Sequence, residues 1–152
     1  MWWRRCQRLC AGKESCFMTP TQWLLDETGK WLVHARRDLR AAELCSVELP
    51  AEALYHCQQA AEKFLKGLLT YHQTAFRKTH ELRELALECA AIDPSIEVEI
   101  QAATTALTRY VWLFRYPGAP YEPDAVEVAE GLKLAVGIGA VRRRLPMSSG
   151  FV

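Results

Sequence analysis

The segment from Pro50 to His72, PAEALYHCQQAAEKFLKGLLTYH, decides the fold. Leu54, Cys57, Ala61, Phe64, Leu65 and Leu68 recur at steps of three, four and one, which lays a single apolar stripe along an α-helix. Pro50 suits its first turn, because the amide that proline lacks would be unpaired there in any case. His56, Gln59, Lys63 and Lys66 follow one another at the same helical steps and form a polar face, with Gln58 at the border of the stripe. Glu62 stands four residues before Lys66, the favourable order for an ion pair. Taken alone, such a face reads as solvated, with a surface pair contributing about a few tenths of a kcal/mol.

The same periodicity extends in both directions. Upstream, Leu24, Leu25, Trp31, Leu32, Ala35, Leu39 and Ala42 predict a helix over 21–45, capped by Thr21 or Thr19, with Gly29 as a weak point. Downstream, 73–78 is a connector. Thr79 is placed to cap a third helix along Leu82, Leu85, Ala86 and Cys89. Asp93-Pro94 starts a fourth through Ile96, Ile100, Ala103, Leu107, Tyr110, Val111 and Phe114, which Tyr116-Pro117-Gly118-Ala119-Pro120 must end. A fifth is expected over 123–143 on Ala125, Val128, Ala129, Leu132, Ala135 and Val136, with Gly137 and Gly139 weakening its second half. No segment alternates strictly in polarity, so no sheet is expected. The expected fold is all-α: an antiparallel up-and-down bundle of four to five helices.

The whole chain has 152 residues, half of them apolar, and a formal charge of +1, which fits one globular domain and excludes both a disordered chain and a polycation. The charge is unevenly spread. Residues 1–17 and 142–152 each carry a net +3, whereas residues 18–141 hold 12 basic and 17 acidic side chains, net −5. Wholesale capture of nucleic acid by charge is therefore not expected. Residues 1–17 are expected to be a loose basic tail, 18–144 the folded domain and 145–152 a C-terminal tail. No apolar run nears the roughly 20 residues that cross a bilayer, and no export signal is recognised, so a cytoplasmic protein without membrane contact is expected.

Six cysteines are too sparse for a disulfide framework. Cys6, Cys10 and Cys16 match no zinc spacing, and neither a metal nor another cofactor is expected. Arg115 at the end of the fourth helix either opposes the helix dipole or, with Tyr116 and the neighbouring aromatics, holds a phosphate and stacks a base. Arg142-Arg143-Arg144 reads as a basic helix end that satisfies the dipole, with RNA contact as the lesser alternative.

Three segments in order resemble the HEPN domain, the "higher eukaryotes and prokaryotes nucleotide-binding" family, in its stand-alone prokaryotic form. They are the stretch from Trp31 to Ala42, the stretch from Tyr55 to Leu69 with its Gln-Gln-Ala-Ala-Glu-Lys-x-Leu-Lys pattern, and Thr79-His80-Glu81-Leu82 joined to Arg115-Tyr116-Pro117. The likeness spans about residues 22–143. It implies a homodimer that binds a nucleotide or RNA and works beside a small nucleotidyltransferase, in a two-component or toxin–antitoxin system. It points to Gln59, Lys63, Lys66, His80, Arg115 and Tyr116 as the nucleotide- or phosphate-binding set. The family's ribonuclease branch carries an arginine followed four to six residues later by histidine. Here His80 is the last histidine, so no catalytic residue is assigned and ribonuclease activity is not expected. The alternatives are a non-catalytic dimerisation adaptor, with Trp112, Phe114 and Tyr116 as interface anchors, and an atypical ribonuclease toxin.

Overall fold

The computed structural model describes residues 19–113 and 121–145, and among them five α-helices and no strand. They are α1 (Pro20–Cys45), α2 (Pro50–Tyr71), α3 (Leu82–Ile92), α4 (Glu97–Leu113) and α5 (Ala125–Ala140). Short 3-10 turns at Pro94–Ile96 and Val141–Arg144 precede α4 and follow α5. The all-α bundle read from the sequence is the observed fold. Phe114, Arg115 and Tyr116, the expected N-terminal tail together with Met18, and the expected C-terminal tail beyond Leu145 lie outside the described residues.

Helix α1 begins at a reciprocal cap. The Thr19 hydroxyl accepts the Gln22 amide at 3.1 Å, and the Gln22 side chain accepts the Thr19 amide at 2.9 Å, so two donors of the first turn are satisfied. Gly29 is buried within the continuous helix rather than breaking it. Helix α2 ends in a left-handed residue, Gln73 at φ 55°. There the Thr74 amide returns to the Leu69 carbonyl and the Gln73 amide to that of Thr70, which closes the last turn.

Thr79 caps nothing directly. Glu81 holds the cap position of α3, and the Thr79 hydroxyl accepts the Glu81 amide at 3.0 Å in a turn just before the helix. Asp93 does cap its turn, accepting the Ser95 amide at 3.0 Å. In α4 the hydroxyls of Thr104, Thr105 and Thr108 donate back to carbonyls three or four residues upstream, which accommodates three β-branched polar residues within a helix.

Helix α2 is the centre of the bundle and packs against all four other helices. Its predicted stripe is buried without exception. Helix α5 turns further than its apolar pattern predicts: Val128, Gly131, Ala135, Ile138 and Gly139 face the core, whereas Ala125, Ala129 and Val136 are exposed. The glycines explain the rotation. A β-carbon on Gly131 would fall 2.3 Å from Leu54 Cδ2, and one on Gly139 would fall 2.8 Å from Phe64 Cε2, so α2 side chains occupy the space that larger residues would need.

Candidate functional site

The polar residues of α2 do not share a solvated face. They divide between two carboxylates, Asp38 on α1 and Glu62 on α2 itself. Lys63 Nζ donates to Asp38 Oδ2 of α1, whose other carboxylate oxygen lies 3.1 Å from His56 Nδ1. Lys66 Nζ donates to Glu62 Oε1 at 2.6 Å and to the Thr79 carbonyl at 3.0 Å. His80 Nδ1 lies 3.1 Å from Glu62 Oε2.

The adjacent glutamines join these two centres. Lys63 Nζ contacts Gln59 Oε1 at 3.4 Å, Gln59 Nε2 donates to Gln58 Oε1 at 2.8 Å, and Gln58 Nε2 donates to Glu62 Oε2 and to the His80 carbonyl, both at 3.3 Å. A continuous polar chain thus runs from Asp38 through Lys63, Gln59 and Gln58 to Glu62, Lys66 and His80. It ties α1, α2 and the connector before α3 together.

The pair at its inner end is buried, with Glu62 4% and Lys66 7% exposed, so it is not the surface pair that the spacing alone suggested. Burial pushes the Glu62 carboxyl up, but hydrogen bonds and charge from Lys66 and His80 outweigh it and hold the group below its ordinary value. The Lys66 ammonium also lies 5.7 Å from the Trp31 ring centroid and 6.0 Å from that of Phe76, and the two rings meet edge to face. Of the expected set, Gln59 and Lys63 stand together, Lys66 and His80 stand together, and Arg115 and Tyr116 lie outside the described residues.

Beside this chain, a groove of about 420 Å³ is lined by Glu27, Lys30, Trp31, His34 and Lys63. Its lysines are committed: Lys30 to Asp26 and Glu27, Lys63 to Asp38. Two further features escaped the sequence reading. Arg109 and Tyr110 of α4 donate to Glu127 of α5, each at 2.7 Å, and Tyr121 donates to the same carboxylate, which locks the two helices together. Arg36 of α1 and Arg142 beyond α5 lie within electrostatic reach of each other. Burial first, and then the like charge of Arg142, lower the Arg36 pKa. Among the described residues no carboxylate pairs with either one. Their separation by 106 positions is why no local pattern linked Arg36 to the basic run that holds Arg142.

No group of His, Cys, Asp and Glu among the described residues could hold a metal, and no described helix is long and apolar enough to cross a membrane.

A short helical bundle whose central helix carries an internal Gln-Gln-Glu-Lys polar chain defines the class. The particular family is the HEPN domain, which matches residues 28–141, and the chain belongs to it. A similar solved structure is that of TT1696 from Thermus thermophilus. The two are 30% identical, the alignment covers 78% of this chain and 97% of that one, and the TM-score is 0.66. No curated protein matches the chain.

Proposed function

We propose that this HEPN protein is a non-catalytic nucleotide- or RNA-binding partner of a small nucleotidyltransferase, acting in a two-component or toxin–antitoxin pair. Family membership supports the class of ligand and of partner. The observation that carries binding is that Arg36 and Arg142, arginines from different elements, form no ion pair among the described residues, while the like charge of Arg142 acts on Arg36. A phosphate placed there relieves their repulsion and accepts bidentate hydrogen bonds. Gln59, Lys63, Lys66 and His80 belong to the set proposed from the family pattern, their polar groups met within the protein by Gln58, Asp38 and Glu62, and Arg115 and Tyr116 complete that set.

Calorimetric titration with ATP, GTP and a short RNA tests the reading. Binding by the wild type, weakened in Arg36→Ala and Arg142→Ala and retained in the exposed control Arg83→Ala, is the expected result. Absence of binding, or binding indifferent to Arg36, Arg142 and Arg115, overturns it.

A second reading is favoured by the pairing of Lys63 with Asp38 and of Lys66 with Glu62. On that reading the polar residues satisfy one another, and the bundle is a homodimeric adaptor. A strictly monomeric mass in solution overturns this second reading, whereas a dimer supports it and is equally compatible with nucleotide binding.

A further inference from the structure

The turn between α1 and α2 exposes three large apolar side chains within six positions: Leu44 is 68%, Val47 81% and Leu49 50% exposed. Turns are ordinarily built from small polar residues, so an apolar cluster here marks a contact surface. Its rim carries one sign of charge. No lysine or arginine occurs between Arg40 and Lys63, and Arg40 is already paired with Glu43. Glu48 and Glu52 are exposed and form no ion pair among the described residues. Gly131 of α5 packs on Leu54 and Gly139 on Phe64, so α5 runs parallel to α2 and starts at this same end, where Glu122 and Asp124 add two more exposed carboxylates.

An acidic rim repels the phosphates of nucleic acid and of anionic lipid, and selects a segment that is both basic and apolar. The chain carries one. Residues 1–17 have a net charge of +3 and open on Trp2-Trp3-Arg4-Arg5. They lead into Thr19, at the end of α1 far from the turn. The 26 residues of α1 make a rod of about 39 Å, and an extended chain covers about 3.3 Å per residue, so residues 7–18 are long enough to run its length and deliver residues 1–6 to the turn.

We infer that the acidic, apolar turn between α1 and α2 is the docking surface of this chain's own N-terminal segment, with Trp2 and Trp3 packed on Leu44, Val47 and Leu49, and Arg4 and Arg5 opposite Glu48 and Glu52. The contact is independent of the nucleotide and adaptor readings. Ordering the connecting residues costs conformational entropy, so the docked form exchanges with a released one and weakens as salt screens the charges.

Cys45, half-buried at the end of α1, reports the contact, because Cys6 directly follows Arg5. The full-length chain is oxidised with diamide at about 1 µM, where weak pairing between chains is unpopulated, and its disulfides are mapped by mass spectrometry. The expected product is an intrachain bond from Cys45 to a cysteine of the N-terminal segment, Cys6 foremost. Its yield is expected to fall roughly fivefold in the double variant Glu48→Lys, Glu52→Lys, with circular dichroism unchanged, and to recover when Arg4→Glu and Arg5→Glu are added to it. Hydrogen exchange supplies a readout that needs no thiol: the amides of 44–49 are expected to exchange faster in the Arg4→Glu, Arg5→Glu chain than in the wild type, and this difference sustains the contact even where the half-buried thiol does not couple. Exchange at the turn that ignores the charge at Arg4 and Arg5, or a disulfide yield that ignores the charge at Glu48 and Glu52, overturns the proposal. So does a Cys45 bond formed only between chains, which assigns the turn to a second copy.

Discussion

Glu62 collects more donors than any other side chain on α2: Lys66, Gln58 and His80 all converge on its carboxylate. Glu62→Gln leaves the Lys66 ammonium buried without its counter-charge, and the expected cost is about 3–5 kcal/mol in urea unfolding. Lys66→Met, which keeps volume but strands the carboxylate, is expected to cost a similar amount. Because the folded-state Glu62 carboxyl titrates below its ordinary value of 4.5, its contribution is full above that pH and is lost as pH falls through the depressed value. The acid limb of the stability profile is therefore expected to flatten in Glu62→Gln. Two thiols tell a simpler story. Burial raises both Cys57 and Cys89 to about 12, with the Glu88 carboxylate adding to the shift at Cys89. Neither is expected to react with a thiol reagent at pH 8 in the folded protein, and mass spectrometry of the labelled chain should place modification on Cys45 ahead of both.

At the scale of elements, close packing and backbone conformation matter more than propensity. Gly131→Ala improves intrinsic helix propensity yet drives a methyl into Leu54, so a net loss of about 1–2 kcal/mol is expected. Gly137→Ala meets open space and is expected to add about 0.5–1 kcal/mol in dilute solution. Gln73→Gly at the left-handed end of α2 is expected to add about 1 kcal/mol, since φ 55° strains a residue with a β-carbon. Thermal unfolding at low protein concentration orders all three against the wild type. The helices themselves were legible, because their stripes repeat within a turn or two and Pro50 and Asp93-Pro94 mark starts by local chemistry. The face of α5 was not, because the fit of Gly131 against Leu54 and of Gly139 against Phe64 depends on residues over 70 positions away. The polar chain was half legible: Glu62 and Lys66 announced their pairing by spacing, whereas its burial and the roles of Asp38 and His80 depend on how α1 and the connector lie on α2. Arg142 stood out only as part of the basic run 142–144, and nothing local linked it to Arg36.

Across the whole molecule the same titrations bound a plateau of stability. Burial and the hydrogen bond to Glu127 raise Tyr110 to about 12 against the opposing pull of Arg109, from an ordinary value of 10.0. A raised folded-state value means that the contribution is complete below pH 10.0 and disappears as pH climbs toward 12; the two buried cysteines behave alike from 9.0 upward. Denaturant midpoints are expected to hold steady from about pH 5 to 9 and to fall on both sides, with Tyr110→Phe shallower on the alkaline side. The central position of α2 has a kinetic corollary. With neighbours on every side, its amides near Leu54, Leu65 and Leu69 can meet solvent deuterium only when the entire bundle opens, whereas those in the first turns of α1 exchange by fraying at one end.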